Sequence, residues 1–165
     1  MPSIFRLAGC GVVTALVALL PLTTAAHEHR ELGNGQYDVT IGFIEEPAFV
    51  GEKNGLYLRV TKPTTAAGAV TPAADAEDGT PVLGLDQTLT AEVILGDQSM
   101  DLPLTPAFQE PGVYESVFFP TATGDYTFHL TGQIEGTTID ESFTSSPEGF
   151  DSVQPIEPFQ FPKLQ

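Results

Sequence analysis

Two histidines, His27 and His29, follow a run of small residues in the stretch TTAAHEH, residues 23–29. An N-terminal histidine can chelate one metal ion through its α-amine and its imidazole Nδ1, an arrangement called a histidine brace. A histidine in third position can instead join the amine and two deprotonated backbone amides around a square-planar ion. Both arrangements favour Cu(II) or Ni(II), because nitrogen ligands in tetragonal geometry suit those ions. Both use the same amine, so only one can form fully.

Either arrangement requires His27 to be the first residue of the processed chain. Residues 1–26 have the organisation of a secretory signal: Arg6 supplies a positive start, residues 7–22 are apolar, and residues 23–26 are small. The apolar run is short for a spanning helix, which needs about 20 residues. We therefore predict cleavage after Ala26, an extracytoplasmic location (periplasmic, secreted or cell surface), and no stable membrane span after processing.

Acylation at Cys10 is an alternative fate of the leader, because residues 7–10, LAGC, resemble a lipoprotein processing box. Such a box should follow the apolar segment, whereas this one precedes most of it, so cleavage after Ala26 is favoured. Cys10 is also the only cysteine of the chain. The processed protein can then form no disulfide, and a hydrophobic core must stabilise it.

His129 is the third candidate metal ligand. Apolar and polar residues alternate in YTFHLTG, residues 126–132, so His129 is predicted to face outward on a strand. It could complete the site if the N-terminal segment runs along the same sheet; otherwise it is a solvated strand position. The alternative for His27 and His29 is a mobile acidic leader. Met100 shares its face with Leu102 and is predicted to pack in the core rather than to bind Cu(I).

The chain is strongly acidic, with 22 Asp and Glu against six Lys and Arg and a net charge of −16. This charge repels nucleic acid and attracts cations, although a salt-rich or extracellular habitat is an equally good explanation. The sequence has no G-x-S-x-G, P-loop or dinucleotide motif. We therefore predict that the protein is not an enzyme.

The elements that would position these histidines are predicted to be all β. Short alternating runs are broken by Gly, Pro and Asp, and no segment keeps a 3.6-residue period. We predict about seven strands with turns at Asn54-Gly55, Gly96-Asp97 and Glu135-Gly136, forming two packed sheets. The expected strands lie within residues 37–44, 56–62, 86–95, 99–104, 112–119, 125–134 and 137–145.

The predicted domain is an immunoglobulin-like antiparallel β-sandwich over residues 27–146. Residues 63–84, rich in Ala, Thr, Pro and Gly, are predicted to form a long flexible insertion. Residues 147–165 are a Pro/Phe-rich tail whose aromatic residues would pack along the sandwich or contact a partner. Tyr126, after a Gly-Asp corner and two residues before Phe128, matches the tyrosine corner of immunoglobulin-like domains.

Two stretches, GFIEEPAFVGEKNGLYLRV (residues 42–60) and GVYESVFFPTATGDYTFHLTGQIEG (residues 112–136), resemble secreted YtkA-like and FixH-like domains. More loosely, they are similar to CopC-type periplasmic copper carriers. The resemblance implies an immunoglobulin-like fold and copper bound at an N-terminal histidine, here His27. The carriers' second motif, an Asp two residues before a His, does not recur, because Asp125 lies four residues before His129.

Two functions are therefore expected from the sequence. The first is a secreted or periplasmic carrier or buffer of a divalent metal ion, Cu(II), bound through the mature N-terminus. The alternative, from a different class, is an extracytoplasmic protein–protein interaction module of the cell envelope that binds no metal. It would use its sheet edges, the insertion or the Pro/Phe-rich tail.

Overall fold

A computed structural model describes residues 27–63, 79–147 and 149–163. Within these ranges, ten strands form two antiparallel sheets packed as an immunoglobulin-like sandwich, which confirms the predicted fold class. The predicted signal peptide and Cys10 lie outside the described residues. The strands are β1 (Glu28–Leu32), β2 (Tyr37–Phe43), β3 (Asn54–Lys62), β4 (Thr80–Pro81), β5 (Leu89–Leu95), β6 (Gln98–Leu102), β7 (Thr105–Pro106), β8 (Val113–Phe118), β9 (Thr127–Ile134) and β10 (Thr137–Thr144).

The strands divide unequally between the two sheets. The first sheet has the order β1-β2-β3-β8-β7, with β4 also paired to β3, and the second has the order β10-β9-β5-β6. Two 3₁₀ helices, Leu85–Gln87 and Glu157–Phe159, complete the described elements. Within the described ranges, no helix is long and apolar enough to cross a membrane.

The core follows from the period-2 pattern of the strands, which directs alternate residues between the sheets. An aromatic cluster centred on Phe43 of β2 joins the two sheets. The ring centroid of Phe43 lies 5.4 to 6.3 Å from those of its four neighbours, which are Phe118, Tyr126, Phe128 and Phe150. Burial of these large rings supplies the stabilisation that a small domain without a disulfide needs.

The predicted tyrosine corner is confirmed. The Tyr126 hydroxyl donates a hydrogen bond of 2.9 Å to the carbonyl of Ala122, and Phe128 is fully buried. Two predicted turns are also confirmed: Gly96-Asp97 joins β5 to β6, and Glu135-Gly136 joins β9 to β10. Glu135 and Gly136 both have positive φ, 48° and 91°, as a type I′ hairpin requires.

The predicted turn at Asn54-Gly55 is wrong, because both residues lie inside β3. The buried Asn54 side chain accepts a hydrogen bond from the Glu45 backbone N–H and donates one to the Glu45 carbonyl, so it fixes the preceding loop. A Cβ on Gly55 would lie 2.2 Å from the carbonyl oxygen of Ser116 in β8. Glycine is therefore needed for close strand approach rather than for a turn.

The predicted insertion and the predicted tail both contain residues that pack on the sandwich. Thr80–Pro81 pairs with β3, and Val82 is buried and accepts a hydrogen bond from the Tyr114 hydroxyl. The end of the predicted insertion therefore lies on the first sheet, while residues 64–78 are outside the described ranges. Phe150 and Val153, in the predicted tail, are buried in the core. The folded domain thus extends past residue 146.

Candidate metal centre

His27 is positioned by strand pairing and by a glycine on the neighbouring strand. The register of β1 against β2 pairs Glu28 with Ile41, which places His27 opposite Gly42. Because Gly42 has no side chain, the imidazole lies over β2 and contacts Tyr57 of β3, with ring centroids 4.8 Å apart. A Cβ on Gly42 would lie 2.7 Å from His27 Cδ2, so any larger residue would displace the ring.

The contacts of the His27 ring fix its tautomer. Nε2 lies 3.1 Å from the carbonyl oxygen of Phe43. A carbonyl only accepts hydrogen bonds, so Nε2 carries the proton and Nδ1 of the neutral ring keeps a lone pair. Burial lowers the pKa of His27 below 6.5; the hydrogen bond to Phe43 opposes this shift, and the nearby His29 adds to it. The neutral imidazole therefore dominates at pH 7.

His29 lies on the same outer face of the first sheet, two residues from His27. Its Nδ1 is 3.0 Å from the Thr40 hydroxyl, and its side chain is exposed. Third-position chelation would require the backbone nitrogens of Glu28 and His29 to meet at one ion. In a paired strand, successive N–H groups point to opposite edges, so β1 as folded does not allow this chelate. The fold is compatible with a brace at His27.

His129 lies on β9 in the other sheet and points outward, as its strand pattern predicts. Its Nε2 is 2.8 Å from Asp140 Oδ1, and its Nδ1 is 3.9 Å from Glu92 Oε2. His27 and His29 face outward from the first sheet, and packed sheets are about 10 Å apart. The structure therefore does not bring His129 to the same ion. Among the described residues, no group of three or more His, Cys, Asp or Glu side chains is arranged to hold a metal.

Met100 differs from its prediction. It faces inward opposite Val93, but its side chain is 48% exposed. Met100 lies on β6, the edge strand of its sheet, where only β5 covers one side of the strand. Its contribution to the core is therefore partial.

Glu46 is a residue of this region that the sequence analysis does not place among the candidate site residues. Its Oε1 accepts a hydrogen bond of 3.1 Å from the Phe43 N–H, and its Oε2 is buried. Burial raises the pKa of Glu46 to about 7; hydrogen bonds from Phe43 and Asp151 oppose the shift, and the Asp151 charge adds to it. The one sequence signal was its position directly before Pro47, where the chain leaves β2.

Glu46 also approaches the place occupied by the His27 ring. A Cβ on Gly42 would lie 2.8 Å from Glu46 Oε1 as well as against His27. The acid and the imidazole therefore share the space that the missing Gly42 side chain leaves. Both side chains bond to the backbone of Phe43: His27 donates to its carbonyl, and Glu46 accepts from its N–H.

No family model matches the sequence, and no curated protein is significantly similar to it. Among solved structures, the chain is similar to the filamin domain of Lin-41, known from a crystal structure, with 18% sequence identity and a TM-score of 0.34. The match covers 61% of this chain and 86% of that one. A likeness at this level carries no inference about function.

Proposed function

We propose that the protein binds Cu(II) outside the cytoplasm through the α-amine and the imidazole Nδ1 of His27, and that it carries or buffers this ion. One observation supports the proposal above the others: the Nε2–H of His27 is directed to the carbonyl of Phe43. Histidines that bind metals through one ring nitrogen commonly donate the other N–H to a carbonyl or carboxylate. The same hydrogen bond leaves Nδ1, the nitrogen of a brace, as the free lone pair.

The environment of the ring favours metal over proton at this nitrogen. A metal competes with protons for the imidazole, and the lowered pKa of His27 reduces that competition near neutral pH. Contact with Tyr57 and Gly42 restricts the ring before the ion arrives, so less conformational entropy is lost on binding. The net charge of −16 raises the local concentration of cations.

The test begins with the processed protein from cells that export the full chain. Its intact mass should correspond to a chain beginning at His27. Titration followed by visible and electron paramagnetic resonance spectra should show one Cu(II) per chain. A variant with one extra Gly before His27 should lose at least about tenfold in affinity, since the amine and Nδ1 then no longer form one chelate ring.

Two matched variants separate the possible ligand sets. His129→Ala should leave Cu(II) affinity unchanged, because that residue lies on the other sheet. His29→Ala should preserve the brace spectrum, whereas third-position chelation would be abolished. Equal titration curves for the native and Gly-extended chains, or a mature chain that begins elsewhere, would refute the proposal.

A further inference from the structure

The two lateral sides of the sandwich are built differently. On the side of β1 and β10, Arg30 bridges the sheets: its guanidinium donates hydrogen bonds to the Glu141 carboxylate at 3.2 Å and to the Ser142 carbonyl at 3.1 Å. It also lies 4.1 Å from the centroid of the Phe143 ring. These contacts of Arg30 close the gap between the two sheets on that side. The opposite side, between β6 and the end of β8, has an apolar slot instead.

The slot is a cavity of about 200 Å³ between the edges of the two sheets. Two large apolar side chains stand at its mouth, Met100 with 48% exposure and Phe119 with 58%. Its apolar walls combine residues of both sheets and of the loop after β8, namely Val93, Leu95, Met100, Phe118, Phe119 and Tyr126. Exposed apolar surface of this kind, concentrated around a concave site, is typical of binding surfaces.

The slot adjoins an open strand edge. Among the described strands, β6 pairs only with β5. The two-residue hairpin pairs Leu95 with Gln98, and alternation along the ladder then directs the N–H and C=O groups of Ser99 and Asp101 to the free edge. No proline or lysine, the residues that commonly block an edge, lies in β6. The edge can therefore pair with another extended chain.

Charge selects what can occupy this edge. Between Lys62 and Lys163 the sequence contains no lysine or arginine, so the second sheet carries neither. Asp97 and Asp101 are exposed beside the slot. A second copy of this chain, with its own net charge of −16, would be repelled. A cationic partner would be attracted.

We propose that the β6 edge and the slot bind an extended, cationic segment of a partner protein. The segment would add a strand beside Ser99 and Asp101 and insert one bulky apolar side chain between Met100 and Phe119. Its basic side chains would lie near Asp97 and Asp101. Main-chain pairing with pockets for alternate side chains is a known mode of peptide recognition. This binding does not depend on the metal proposal, since it uses the other sheet.

The experiment uses a blocked peptide, Lys-Val-Lys-Phe-Lys-Val-Lys, as the probe, with NMR titration of the ¹⁵N-labelled protein. Amide shifts should concentrate at Gln98–Leu102 and around Phe119. Ser99→Pro removes a free edge donor without touching the ladder to β5, and it should weaken binding about tenfold. Met100→Ser with Phe119→Ser should weaken it at least as much. Thermal unfolding of each variant verifies its fold.

A matched pair of charge variants separates site binding from general attraction. The double substitution Asp97→Asn and Asp101→Asn should lower the affinity for the peptide about tenfold. Glu31→Gln with Glu110→Gln removes the same charge from exposed positions on the first sheet and its loops, and it should have less than about a threefold effect. Equal losses for the two pairs, or amide shifts spread over both sheets, would overturn the proposal. So would concentration-dependent dimers that Met100→Ser abolishes, because the slot would then hold a second copy.

Discussion

Replacing Glu46 with Gln should stabilise the protein at neutral and alkaline pH but not at acidic pH. The pKa of Glu46 is about 7 in the folded protein, against 4.5 as the ordinary value. The folded state therefore holds the protonated acid more strongly than the unfolded state does. Its contribution to stability is complete below pH 4.5 and is lost as the pH rises through about 7.

The size of the effect follows from the two pKa values. The difference between them corresponds to about 3 kcal/mol of stability lost when the buried acid ionises. The Glu46 side chain is only partly buried, so solvent screening reduces this to about 1 to 2 kcal/mol. Gln is uncharged like the protonated acid, so its burial does not remove a charge from water, and its oxygen can accept from the Phe43 N–H.

The assay is urea denaturation of the wild type and of Glu46→Gln at several pH values from about 4.5 to 8. The free energy of unfolding of the wild type should fall relative to the variant by about 1 to 2 kcal/mol across this range. Glu45→Gln is the matched control, because Glu45 is adjacent and exposed. A constant difference between wild type and Glu46→Gln at all pH values would refute the reasoning, as would the same pH dependence in Glu45→Gln.

Three further substitutions test other contacts. Gly42→Ala should displace the His27 ring, lowering the unfolding free energy by about 1 to 3 kcal/mol and the Cu(II) affinity at least about tenfold; unchanged affinity would contradict the proposed position of the ring. Phe150→Ala should cost about 3 to 5 kcal/mol in urea denaturation, and a loss below about 1 kcal/mol would show that the ring is not a core residue. Arg30→Met should cost about 1 kcal/mol because it removes the bridge over Phe143; an unchanged midpoint would argue against that bridge.

The central strands were predictable because their information is local. β2 alternates Tyr, Val, Ile and Phe with polar or small residues, and its inward positions are buried as that pattern requires. The hairpins at Gly96-Asp97 and Glu135-Gly136 have the same local origin. Asn54-Gly55 carries an equally strong local turn signal, yet it lies in a strand. There the approach of β8 and the hydrogen bonds of Asn54 to Glu45 outweigh local preference.

β1 could not be predicted, since EHREL has one apolar residue and none of the β-branched residues that favour strands. It is ordered by pairing with β2 and by Arg30, whose partners on β10 lie more than 100 positions away in sequence. The buried part of the tail has a similar cause, because Phe150 fits a cluster formed by residues of both sheets. Neither arrangement is encoded in a local pattern.

The candidate site was predictable in its residue types but not in its geometry. His27 and His29 stand out by their spacing and by the small residues before them. The hydrogen bond of His27 to Phe43 depends on which residue of β2 lies opposite it, and that residue is Gly42. A shift of one residue in the register would place a side chain under the ring. Glu46 was missed for the same reason, since its environment comes from contacts with Phe43 and Asp151.

The pairing of β1 also makes the two modes of chelation at the N-terminus physically opposed. A brace uses only atoms of His27, so the ion is compatible with the paired strand and stabilises it by mass action. Third-position chelation needs the amides of Glu28 and His29 at one ion, so it competes with pairing to β2. Hydrogen exchange of the remaining β1 amides, Arg30 to Leu32, should therefore slow when Cu(II) binds as a brace. Faster exchange would mean that the ion removes the strand from the sheet to complete its coordination.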